Sequence, residues 1–182
     1  AEKEGIQYED DALYLVAQKA DGALRDALSI FDRLSTFTQK NITLAKAAEV
    51  LNILDYDQYL NIVDIAHENR ISDVLFAFNE IVKKGFDPHI FIAGLGNHFR
   101  DLMMAQNPVT LSLIEVGEKT KAKFADQSKK WNAQQLIDAI EICNHADINY
   151  KNSKNPRLTV EIALMQLSSI TANGSEVKKK SI

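Results

Sequence analysis

The chain holds 182 residues, 46% of them hydrophobic and 25% charged, with a formal net charge of −4, a globular composition with apolar material for one ample core or two small ones. The acidic balance argues against a surface that grips nucleic-acid backbone as a whole, although it leaves room for a local basic patch. No uninterrupted apolar run nears the roughly 20 residues needed to cross a bilayer and no signal-peptide pattern opens the sequence, so a cytoplasmic protein with no membrane partner is expected.

Ala1 to Gln7 show no helix start of their own, as expected of a piece cut from a longer chain. A first helix is predicted to begin near Tyr8 to Asp10, with Glu9, Asp10 and Asp11 at the favourable positive end of its dipole. Leu13, Val16, Ala17 and Ala20 continue it. Consecutive acids point in different directions around a helix, so capping is preferred to a metal cluster. Asp21 is then placed to cap a second helix reaching about Phe37, in which Leu24, Ala27, Leu28, Phe31 and Leu34 form one apolar stripe. Arg25 falls off that stripe. After the polar turn Thr38-Gln39-Lys40-Asn41, Thr43 is placed to cap a third helix with Ala47, Val50 and Leu51 on one side.

A second unit is predicted from Asp55. Tyr56, Tyr59, Leu60, Val63 and Ala66 share one helical face, and Ile71, Val74, Leu75, Phe78, Ile81 and Val82 share the next. Gly85 reads as a C-terminal cap, and Asp87-Pro88 as a cap acid with proline at the first helical position. Ile92, Leu95, Phe99, Leu102 and Met103 run from there to about Ala105, with Pro108 closing the segment. Gly94-Leu95-Gly96 inside this helix is expected to allow close helix contact, since a dinucleotide loop needs a third glycine and a preceding strand. Leu111, Leu113, Ile114 and Val116 predict a short helix, and Lys119 to Lys130 a charged one carrying Phe124. Asn132 is placed to cap a helix through Leu136, Ile140 and Cys143 to about Tyr150, and Asn155-Pro156 repeats the cap-plus-proline start of a last helix to about Ile170. That helix is apolar on most sides, which suits a bundle centre or a subunit interface. Residues 171–182 read as a polar tail or linker. No segment carries the sustained alternation of a strand, so the fold class is all-α.

The chain has no Gly-x-x-x-x-Gly-Lys-Ser/Thr loop and no apolar strand ending in paired acids for magnesium. Gly117-Glu118-Lys119-Thr120 only looks similar, because its lysine does not follow the glycine and nothing strand-like precedes it. No catalytic residue and no metal site is expected. His67, His89, His98 and His145 are scattered over separate helices, each in a surface or capping role. Cys143 is the only cysteine and reads as a buried, inert thiol. Lys119, Lys121, Lys123, Lys129 and Lys130 beside Trp131 could form a nucleic-acid patch, but Glu115, Glu118 and Asp126 interleave with them and favour solvated helix surface. Arg25 is singled out on chemistry: a guanidinium is always charged and its planar fork of donors suits phosphate oxygens better than a lysine. The competing reading is a solvated arginine paired with Asp21, Asp26 or Asp32.

The run Gly22-Ala23-Leu24-Arg25-Asp26-Ala27-Leu28-Ser29 resembles the sensor-2 motif of AAA+ ATPases, and in its wording the gamma/tau clamp-loader family of bacterial DNA polymerase III. The resemblance implies that Arg25, with Gly22, Leu24, Asp26, Ala27 and Leu28 as motif residues, senses nucleotide from a small lid domain. It implies residues 1–54 as the C-terminal part of an AAA+ lid and 55–170 as a helical collar, or oligomerisation, domain. His98-Phe99-Arg100-Asp101-Leu102 and Arg157 to Leu167 resemble stretches of that third domain. ATP and magnesium are implied as cofactors of the longer parent only, with no cofactor in this piece. The implied partners are gamma/tau copies, delta and delta prime, with the sliding clamp and primer-template DNA met through the full assembly. A free-standing helical adaptor that binds nucleic acid or one protein is the alternative from another class.

Overall fold

The computed structural model describes residues 5–51 and 53–177. Among them are ten helices and one pair of two-residue strands. The first unit comprises β1 (Gln7–Tyr8), α1 (Asp10–Lys19), α2 (Leu24–Phe37), β2 (Asn41–Ile42) and α3 (Leu44–Leu51). The strands run parallel, Gln7 opposite Asn41 and Tyr8 opposite Ile42, and are too short to leave an alternating pattern. The three helices pack against one another around Leu15, Val16, Leu34, Ile42, Ala47 and Leu51.

Two local expectations are corrected here. The inward face of α1 is Ala12, Leu15 and Val16, while Leu13 is only half-buried and Ala17 is exposed. The helix is thus turned by about one residue from the predicted face. Asp21 does not cap α2: the cap position is Ala23, with no side-chain cap bond, and the helix starts at Leu24. Asp21 and Gly22 instead have φ of 47° and 78°, a left-handed turn in which Asp21 N donates to Gln18 O and Ala23 N to Ala20 O. The chain is ending α1 there, and the next helix begins only after that turn is complete.

The second unit comprises α4 (Tyr56–His67), α5 (Ile71–Lys83), α6 (Pro88–Ala105), α7 (Pro108–Leu111), α8 (Glu118–Ser128), α9 (Ala133–Tyr150) and α10 (Pro156–Val177). α6 lies at its centre against α7, α8, α9 and α10, and α10 also covers α4 and α5. Local caps set most of these starts. Asp55 accepts from Asp57 N, Asp87 from His89 N and Ile90 N, and Asn155 from Leu158 N, while Asn132 and Gln135 form a reciprocal capping box. Gly85, with φ of 91°, ends α5.

Gly94 lies under the Tyr59 ring, where a Cβ would strike the phenol, and a Cβ on Gly96 would meet Cys143 Cβ at 3.1 Å. Both glycines thus serve close helix contact. α10 continues to Val177, so residues 171–177 are helical rather than a polar tail. Residues 178–182, with the run of three lysines, lie outside the described residues. Buried apolar side chains divide into one cluster ending at Leu51 and a larger one beginning at Leu54. No described helix is long and apolar enough to cross a membrane.

Candidate functional site

Arg25 stands in the first turn of α2, fully on the solvent side. Among the described residues it makes no hydrogen bond or ion pair, so the competing pairing with Asp21, Asp26 or Asp32 is absent. Leu24 is 73% exposed and Leu28 55%, whereas Ala27 and Phe31 are half-buried against the core of the first unit. Of the whole predicted stripe, Leu34 alone is buried. Gly22 and Asp26 are exposed as well. The sensor-like run therefore presents one unpaired guanidinium beside bare leucine side chains, on a helix anchored at its far end.

Asp10 and Asp11 lie in the first turn of α1, at the positive end of its dipole as expected, while Glu9 occupies the cap position without a side-chain cap bond. Glu9 instead accepts from Leu44 N at 2.7 Å, capping α3. Arg33 of α2 donates to Val50 O near the other end of α3. Asp11 crosses to the second unit. Its Oδ1 accepts from Gly117 N at 2.5 Å and its Oδ2 from Thr120 Oγ1 at 3.0 Å, both in or just before the first turn of α8. The Gly117-Glu118-Lys119-Thr120 run is thus one place where the two units meet.

The far end of α8 is pinned by a buried polar group. Gln127 donates its amide hydrogens to Leu60 O and Asp64 Oδ1, and its Oε1 lies 2.8 Å from His98 Nε2. His98 therefore donates from Nε2, which leaves Nδ1 as an acceptor buried without a partner among the described residues. The ring stacks on Tyr59 and meets Phe124 edge-on at 5.0 Å. Burial pushes its pKa down to about 4, against the opposing Gln127 bond and Asp64 charge. His98 is a core residue, which corrects its expected surface role. The sequence did hold a signal, since position 98 falls in the buried series Phe91, Leu95, Phe99, Leu102.

The remaining candidates resolve toward structure. Lys121, Lys123, Lys129 and Lys130 pair with Glu118, Asp57, Asp126 and Asp64, and Trp131 is buried at 3% exposure, so no aromatic platform faces solvent there. His67 bonds to Lys130 O and His89 pairs with Asp147. The described residues bring no three histidine, cysteine or acidic side chains together as a metal site. Cys143 is buried, and burial raises its thiol pKa far above the usual range.

Comparison with known families places the chain in one of them. Residues 42–179 match the family model described as DNA polymerase III subunits gamma and tau domain III, and residues 1–39 match that of the DNA polymerase III clamp loader subunit, ATPase lid domain. The chain belongs to the gamma and tau family of DNA polymerase III. The tau subunit of Bacillus subtilis (strain 168) is 27% identical over 164 residues, 90% of this chain and 29% of that protein. The gamma/tau subunit of Mycobacterium tuberculosis (strain H37Rv) is 23% identical over 179 residues, 96% of this chain and 31% of that protein. Arabidopsis thaliana protein STICHEL-like 2 is 28% identical over 167 residues, 91% of this chain and 19% of that protein. This gamma/tau chain spans 29%, 31% and 19% of those relatives, less than a third of each. Among solved structures, the Bacillus subtilis DNA clamp loader delta protein shares its fold, with a TM-score of 0.57 at 19% identity over 92% of this chain and 53% of that one. These findings leave the free-standing adaptor without support. The gamma/tau domain III match takes in α3, although α3 buries its apolar face in the first unit.

Proposed function

We propose that this gamma/tau chain is the lid-and-collar portion of a clamp-loader ATPase subunit, with Arg25 as its nucleotide sensor. The first unit, residues 1–54, is the lid part; residue 55 to the end of α10 forms the collar that packs with other clamp-loader subunits. In the whole protein, ATP with magnesium is held by a domain outside this chain, and hydrolysis belongs to that domain. The partners are further gamma/tau copies, delta and delta prime, and the assembly loads the sliding clamp on primer-template DNA in the cytoplasm.

One observation carries the sensor assignment: Arg25 is exposed and unpaired beside exposed Leu24 and Leu28, on a helix anchored elsewhere by Leu34. A guanidinium committed to a local carboxylate could not be offered to a phosphate without breaking that pair, and here none has to be broken. Fixed on α2, the group gains or loses phosphate contact as the lid turns, which links nucleotide state to lid angle.

Arg25→Ala in the full-length protein tests the assignment. The fold should be unchanged, since an exposed, unpartnered side chain contributes little to stability. ATP-dependent binding of the sliding clamp should weaken by about tenfold, the worth of one charge-assisted hydrogen bond. Clamp binding equal to that of the unaltered protein, measured by surface plasmon resonance with and without ATP, would remove Arg25 from the mechanism.

A further inference from the structure

We infer that Asp11 is a positioning residue that clasps the lid to the collar by capping α8 from outside, so that displacement of α1 is delivered to the collar core along α8. α8 lacks a cap of its own. Gly117 stands at its cap position with no side chain to offer; the Asp11 carboxylate accepts from the Gly117 N–H, the donor that the acid of a capping box satisfies, and from Thr120 Oγ1. The free N–H groups of a helix start need such an acceptor, and a carboxylate also suits the positive end of the dipole. Asp11 is thus bound by what α8 lacks.

The same contact bears on the residue type at position 117. Its φ of −66° and ψ of 160° are open to any residue, so no backbone requirement calls for glycine. A Cβ on Gly117 would lie 2.5 Å from the Asp11 carboxylate oxygen, so a side chain here would push that carboxylate off its present position. A methyl group at this position is therefore a direct probe of the Asp11 contact.

Beyond its first turn, α8 is bonded into the second unit. Lys123 pairs with Asp57, Phe124 meets Tyr56 edge-on, and Gln127 joins His98, Leu60 and Asp64. One rigid helix therefore has its start held by α1 and its end held by the buried His98 group. The neighbouring link between the units, Tyr56 OH to Gln18 Oε1 at 3.5 Å, is long for a hydrogen bond and adds little. That this path carries nucleotide-driven motion rests on the lid assignment above; the clasp itself does not.

The test uses the 182-residue chain with spin labels on Ser29→Cys in α2 and Ser72→Cys in α5, both exposed, while native Cys143 is buried from the reagent. Double electron–electron resonance should show one narrow lid-to-collar distance for unaltered Asp11. Asp11→Ala should widen it, and speed hydrogen exchange of the Gly117 amide by about tenfold, as loss of a cap does. Asp11→Asn keeps an oxygen for that amide and should restore the narrow distance. Gly117→Ala should widen the distance when Asp11 is present and add nothing to Asp11→Ala, because the added methyl then meets no carboxylate. If Asp11→Ala loses helicity by circular dichroism, Thr120→Val, which removes one of the two bonds, supplies the same readout. A distance as narrow in Asp11→Ala as in the parent overturns the clasp, as does equal widening by Gly117→Ala with and without Asp11. Neither result involves nucleotide, so both leave the Arg25 assignment standing.

Discussion

α2 and α6 are both amphipathic by sequence, and they use that property in opposite ways. α6 buries a residue at every turn, from Phe91 to Ala105, and four other helices pack around it. α2 buries Leu34 and leaves Leu24, Leu28 and Phe37 at 73%, 55% and 61% exposure. Helical periodicity tells which side of a helix is apolar; it does not tell whether anything within the chain covers that side. Here the uncovered helix carries the candidate sensor, and the covered one holds the collar together.

The contrast is most directly broken at Phe99, which is completely buried and meets Trp131 edge-on. Phe99→Ala should cost about 4 kcal/mol, read as a lowered urea midpoint for the collar. A change below about 1 kcal/mol would mean that α6 is not its hub. Leu34→Ala should cost the lid about 3 kcal/mol, with hydrogen exchange accelerated across α1 to α3 while the α6 amides keep their protection. Uniform acceleration through both units would make them one cooperative block and dissolve the distinction.

The third test is pH. Burial holds His98 neutral in the folded chain down to about 4, whereas in the unfolded chain it takes up its proton near 6.5. Between those values the unfolded state binds more protons, so stability falls as the pH is lowered through this window. By pH 5 the loss amounts to about 2 kcal/mol. His98→Gln should remove that share of the acid sensitivity in urea titrations at pH 7 and pH 5, and an unchanged slope would place the acid response elsewhere.

What the sequence disclosed follows from distance along the chain. The starts of α4, α6, α9 and α10 were legible because Asp55, Asp87, Asn132 and Asn155 act on amides within the next few residues. Asp21 has the same chemistry, but Gly22 beside it admits a left-handed turn, and the local rule gave way to the end of α1. Glu9 and Asp11 were legible as helix-capping acids and illegible as to which helix, since their partners lie in α3 and α8. His98 was hidden by residue type rather than by position. For the candidate site, the wording around Arg25 pointed to the run; that it stands unpaired beside exposed leucines required three dimensions.

The bond from Asp11 to Gly117 spans 106 residues, and that interval has a meaning during synthesis. At about 5–20 residues per second, the ribosome needs on the order of 5–20 s between making the acid and making the glycine. The lid core, by contrast, draws on residues no later than Ile53. The first unit therefore has all its own packing partners long before the helix it caps exists. Asp11 emerges as a waiting carboxylate, and the loop-closure entropy of the clasp is met only after about half of the collar has been translated.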